Sequence, residues 1–189
     1  MSPTPSERVF RRQIHSVRRA LPQHALLTLV RLLVITKLDR CNSVLVGTTR
    51  YLQDRLQSVL NAAARLAYSR RMSEHTNSLL VELHWLRVPE RILFWLCVLA
   101  YHCVHGTALA YLADSLRLTS DVAARRRLRS VDSPTMLVPS TRRSTLDNRA
   151  FPVAAARAWN SLPPQTRAAS SLLTFWRETK SHLFRQPFG

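Results

Sequence analysis

Glycine is almost missing from this chain of 189 residues, which has three in all: Gly47, Gly106 and the terminal Gly189. Loops that cradle phosphates need several glycines so that backbone amides can approach the ligand, and a nucleophile elbow needs the G-x-S-x-G turn; neither is present. Acidic residues are sparse as well, eleven against 28 basic ones. Asp39, Asp54, Asp114, Asp121, Asp132 and Asp147 are scattered and no two aspartates are adjacent. Metal-dependent phosphoryl transfer needs clustered carboxylates to hold its cations, so no polymerase-type centre can be built from these residues.

Cysteine is equally uninformative as a framework, because Cys41, Cys97 and Cys103 form no even set. The opening MSPTPS has no apolar h-region, and a reducing nuclear or cytoplasmic setting is therefore expected. Cys97, His102, Cys103 and His105 carry the right donor atoms for zinc. At offsets of 0, 5, 6 and 8, however, one straight helix cannot turn them toward one tetrahedral centre, so packed core cysteine is favoured and neither metal nor cofactor is expected. The longest apolar run, residues 92–104, spans 13 residues, too short for about 30 Å of hydrocarbon; no membrane partner is expected.

What the chain does contain is apolar residues, 46%, and arginine. Only Lys37 and Lys180 are lysines, leaving 26 arginines and a net charge of +17. The surplus is +6 over residues 1–40, +3 over 41–120 and +8 over 121–189, so the middle reads as core and the flanks as surface facing a polyanion. Arginine-rich coding without any partner would give the same totals.

The periodicity predicts helices throughout. Residues 7–20 interleave Arg8, Arg11, Arg12, Arg18 and Arg19 with Val9, Phe10, Ile14 and Val17. Residues 23–38 are apolar almost all round, a second buried helix. From Thr49 a long amphipathic helix is expected, with Leu52, Leu56, Val59, Ala63 and Leu66 inward and Arg50, Asp54, Gln57 and Asn61 outward. Thr48 or Thr49 is a candidate N-cap, and Ser69-Arg70-Arg71 a basic end. A shorter helix, residues 76–86, leads through Pro89 into the run ending at Gly106, the helix around which the rest is organised. Residues 108–118 give a short amphipathic helix. Asp121 to Thr145 reads as an irregular basic linker with an extended piece at Met136-Leu137-Val138. Order returns near Ala150, and a last helix starting at Ser170 or Ser171 turns Leu172, Phe175, Trp176, Leu183 and Phe184 inward. Aromatic and basic residues alternate at Trp85, Trp95, Trp159 and Trp176, as in stacking platforms. Each tryptophan also falls at a core position, which favours packing, and His84 reads as structural.

Several segments resemble the region downstream of the catalytic palm in reverse transcriptases of non-LTR retrotransposons (LINEs), especially the Jockey and chicken-repeat clades. They are Leu38-Asp39-Arg40-Cys41-Asn42-Ser43-Val44-Leu45, Leu56 through Arg65 (LQSVLNAAAR), Glu82 through Ile92 (ELHWLRVPERI), Gly106 through Leu112, Leu128-Arg129-Ser130, Arg149-Ala150-Phe151, Ala158 through Pro163 (AWNSLP) and His182-Leu183-Phe184. Order and spacing agree from about Val9 to the end. Arg40 departs from the usual aromatic, Arg87 from proline and Pro89 from arginine, and residues 93–104 are more apolar than in the family.

The resemblance implies thumb-like helices and a C-terminal part without the paired aspartates of the polymerase, hence a fragment that is not an enzyme by itself. The fold expected is mainly α: an irregular multi-helix bundle with a basic linker and a small C-terminal helical tail. Its divisions are a disordered lead (1–6), a helical thumb-like domain (7–119), the linker (120–147) and the tail (148–189). The expected partner is RNA or RNA–DNA hybrid, bound without sequence preference. Arg50, Arg55 and Arg65 on the long helix and Arg125, Arg126, Arg127 and Arg129 in the linker are the candidate contacts. A helical module for self-association or for meeting the missing palm, and a nonfunctional relic, are the other two readings. If the palm normally covers the central helix, Phe94 or Trp95 should be exposed.

Overall fold

The computed structural model describes residues 21–40, 45–68, 76–121, 134–140 and 149–188. In chain order the helices are α1 (Gln23–Val30), continued by a π-helical turn (Arg31–Ile35) into α2 (Thr36–Arg40), then α3 (Arg50–Ala67), α4 (Thr76–Glu82), α5 (Val88–Val104), the single turn α6 (Ala110–Ala113), α7 (Phe151–Asn160), α8 (Pro164–Arg167) and α9 (Leu172–Phe188). The described residues are mainly helical, as expected, and their only β-type pairing is an isolated bridge between Leu118 and Met136. The expected lead, the helix over residues 7–20, the basic turn at 69–71 and most of the linker lie outside the described residues.

The apolar run does form the axis. Ten of the 17 residues of α5 are buried, and of the remainder only Pro89 is exposed. Such a helix needs cover on nearly every side. It is packed by α7, α9, α3 and α2. The Ala154, Ala155, Ala156 and Ala158 face of α7 is built of small side chains that let two backbones approach closely, and Trp159 and Phe175 are wholly enclosed beside it. Enclosing each of these two rings contributes about 2–3 kcal/mol relative to leaving it in water. Residues 149–188 are therefore no separate tail: α7 and α9 share one core with α5, because the all-round apolar helix cannot be covered by α3 and α4 alone.

Two helix ends show why the chain turns where it does. At the end of α5, Gly106 has φ 68°; its N–H reaches Cys103 O and the next N–H, of Thr107, reaches His102 O at 2.9 Å. This is a Schellman closure, with glycine at the left-handed position. The end of α4 repeats it with a non-glycine residue. His84 has φ 51°, its N–H bonds Val81 O, and Trp85 N–H bonds Leu80 O at 2.9 Å. At the start of α9, Ser171 Oγ accepts the N–H of Thr174, an N-cap bond at the helix start expected there.

Other expectations need correction. The helix over residues 23–38 is not buried all round: Leu26, Val30 and Leu38 are enclosed, whereas Leu29, Leu32 and Leu33 are exposed, since only one stripe faces α3 and α5. On α3 the inner residues are Leu60, Ala63, Ala64 and Ala67, and Leu52 and Val59 are exposed. The helix is rotated because Gln57 points inward, its Oε1 accepting the N–H of Val88 at 2.8 Å. An orphan amide at the start of α5 draws a polar side chain toward the core. Thr49 stands at the N-cap of α3 without a side-chain cap bond. The expected helix over 108–118 shrinks to α6, with Leu109 and Tyr111 exposed. Trp176 is exposed in part, at 38%, and Thr179 takes the inward place. Phe94 is buried and Trp95 half-buried, because Trp176 packs edge to face against them at ring distances of 5.8 and 5.7 Å.

The extended piece is present. Met136 exchanges two 2.9 Å bonds with the side chain of Asn160, and Trp159 Nε1 donates to Pro134 O at 2.6 Å.

Candidate nucleic-acid interface

Of the arginines singled out in the sequence, Arg50 and Arg55 are exposed on α3. The Arg55 guanidinium lies 5.8 Å from the centre of the Tyr51 ring, one turn earlier, and Tyr51 is itself exposed. A cation beside an accessible ring can take a phosphate and a base together. Arg50 and Arg55 are offset by roughly 140° around the axis, so they serve neighbouring faces, not one. Neither has a carboxylate partner among the described residues.

Arg65, the third candidate on α3, is engaged within the fold. It is half-buried, its Nη2 donates to Thr76 Oγ1 at 2.8 Å, and its buried Nε has no partner. Its position at the last turn of α3, where a cation also suits the carbonyl end of the helix dipole, makes it a strut between α3 and α4. Arg125, Arg126, Arg127 and Arg129 lie outside the described residues.

Three basic positions outside the candidate set also stand out. Arg149 Nε donates to Gly47 O at 2.6 Å, and a β-carbon at Gly47 would lie 2.5 Å from Arg149 Cγ, so that side chain would have to shift; the φ of 64° favours glycine there. Arg157 is exposed on α7 and lines a cleft of about 450 Å³ with Gln53, Ser161 and Gln186. The cleft floor is apolar, formed by Ile92, Leu93, Leu96 and Leu183. Lys180 on α9 is the third. Its ammonium is held below the usual lysine range, first by partial desolvation and then by Arg91 and Arg31; Asp39 opposes them.

Arg91 itself is buried and paired with Asp39, Nη1 to Oδ1 at 2.6 Å, and Trp95 Nε1 donates to the same oxygen at 2.9 Å. No spacing rule could have found this pair, since its members come from different helices. Arg167 is also buried and desolvation lowers its pKa; it fixes Thr135 Oγ1 at 3.1 Å and is structural.

The thiols of the two described cysteines are held neutral. Cys97 is enclosed and burial pushes its thiol up to about 12, while Cys103 is raised for the same reason. Among the described residues no three metal-donor side chains come together, and no helix is long and apolar enough to cross a membrane. No family profile, curated protein or solved structure matches the chain.

Proposed function

We propose that the chain is a non-catalytic fragment of a retrotransposon-type reverse transcriptase that binds RNA or RNA–DNA hybrid through backbone contacts. The observation that carries this is the exposed Tyr51–Arg55 pair with Arg50 on a neighbouring face of the same helix, cations without carboxylate partners among the described residues, on a chain of net charge +17. A surface of this kind binds a phosphate backbone and leaves sequence unread. Titrating the full chain into labelled RNA and RNA–DNA hybrid tests it: micromolar or tighter affinity that weakens steeply with salt is expected. Affinity equal to that of a charge-matched scrambled peptide contradicts it.

A second reading has its own observation. Leu32 and Leu33 are 58% and 60% exposed, side by side on the first helix, an apolar surface suited to a protein partner or a second copy. Association in sedimentation that rises with concentration and ignores salt would favour that reading over the first.

A further inference from the structure

The helices α5 and α9 run antiparallel. Tyr101 packs on Phe175 at a ring distance of 4.5 Å, and Trp95, six residues earlier on α5, packs on Trp176 at 5.7 Å. One more turn along α9 brings Lys180 beside Arg91. The first helix closes the group from the third side: Asp39 holds both Arg91 and Trp95, and Arg31 stands two turns before Asp39, about 12 Å along the helix. Lys180 and Arg31 are exposed. Trp176, one turn before Lys180 on the same face of α9, is the one tryptophan of the four with more than a third of its surface in solvent.

We propose that Trp176, Lys180 and Arg31 form a contact point for single-stranded nucleic acid, the indole stacking on an unpaired base while the two cations hold an adjoining phosphate. Arg91, fixed by Asp39, supplies a buried positive charge behind them. The inference rests on the nucleic-acid reading above but places a second point of contact on other helices than α3.

Around the Arg91–Asp39 pair, the further cations Lys180 and Arg31 leave a surplus of positive charge. Their mutual repulsion is visible at Lys180, whose ammonium is disfavoured by Arg91 and Arg31 as well as by desolvation. A bound anion relieves that repulsion. The exposed indole favours one class of anion: its N–H can bond a carboxylate or a phosphate alike, but only an unstacked base adds a π-face for its ring to stack on. One helical turn between Trp176 and Lys180, roughly 6 Å, matches the reach from a base to its own phosphate. A duplex, whose bases are already stacked, would gain less.

The test uses the full chain, a short single-stranded RNA of mixed sequence and tryptophan fluorescence. Binding is expected to quench emission, and Trp176→Phe, which keeps an aromatic ring against Phe94 and Trp95, should abolish most of the quench and weaken affinity about tenfold. Arg31→Gln combined with Lys180→Gln should weaken binding and shrink the log–log salt slope by about 1.4, two single-strand phosphate contacts. Lys180→Gln should also raise thermal stability, because it removes a desolvated cation from a positive cluster; a residue with only a structural role would lower both. Binding without quench, unaffected by these variants yet lost in Arg50→Gln/Arg55→Gln, overturns this inference and leaves the broader reading standing. An acidic peptide that quenches and competes as well as RNA overturns it too, and the absence of any binding overturns both.

Discussion

Asp39 and Arg91, 52 residues apart in the chain, are joined by a 2.6 Å bond from Arg91 Nη1 to Asp39 Oδ1. The pair ties α2 to the first turn of α5, and Trp95 Nε1 shares the acceptor. Two of the segments that carry the retrotransposon resemblance, one ending the first helix and one opening the central helix, therefore meet in space at a charged contact. With side-chain exposures of 10% for Arg91 and 23% for Asp39, the pair is neither fully buried nor screened as a surface pair would be.

Asp39→Ala leaves the guanidinium of Arg91 and the indole N–H of Trp95 without this acceptor. The expected loss is about 2–3 kcal/mol in urea unfolding, below the full cost of breaking an enclosed pair because solvent reaches Asp39. A double-mutant cycle with Arg91→Gln should show coupling of about 1 kcal/mol or more. Additive effects would mean that the contact contributes nothing specific.

The two left-handed helix ends give opposite expectations. Gly106→Ala meets no atom within 4 Å, so its cost is the backbone strain alone, about 1 kcal/mol. His84→Gly removes the same strain at φ 51° and should stabilise by up to about 1 kcal/mol, less whatever its ring gives against Phe184 at 6.1 Å. Thermal melting of the two variants in opposite directions is the expected result.

Cys97 should resist alkylation in the folded state. With its thiol pushed up to about 12, roughly one molecule in ten thousand carries the thiolate at pH 8, and the sulfur is enclosed besides. Iodoacetamide mapping by mass spectrometry is expected to find Cys97 unmodified until denaturant is added. Rapid labelling under native conditions would place it at the surface.

Stability should rise with pH in the alkaline range below the ordinary lysine pKa. Because the folded-state pKa of Lys180 is lowered, the unfolded chain binds more protons in the window between the two values, and the slope of stability against pH is positive there. In Lys180→Gln that portion of the slope should vanish. An unchanged slope would remove Lys180 from the positive cluster.

Much of the helical plan was legible in the sequence because its signals are local. The apolar run with Pro89 before it and Gly106 after it predicts α5, and Ser171 predicts the start of α9. What periodicity could not deliver was rotation and pairing. Gln57 and Asn61 read as solvent-facing because they are amides, yet Gln57 turns inward to meet the free N–H of Val88, and the face of α3 turns with it. Leu32 and Leu33 read as core because they are leucines, but only one stripe of their helix has a neighbour to cover it. Arg65 read as a phosphate contact from its charge alone, and the partner that engages it, Thr76, lies on another helix. Trp176 and Lys180 are one turn apart on a single helix, but their meeting with Arg31, on the first helix, depends on packing between helices that no local pattern records.

The central claim is that the chain binds nucleic acid through cations placed by its fold, and the measurement that tests it most directly is RNA affinity across a salt series for the native chain and Arg50→Gln/Arg55→Gln. The native chain is expected to lose affinity with a log–log slope of about −0.7 to −0.9 for each phosphate contact, and the variant to bind more weakly with a slope shallower by about two contacts. Equal affinity and equal slope for the two proteins, or binding no stronger than that of a scrambled peptide of the same charge, would contradict it.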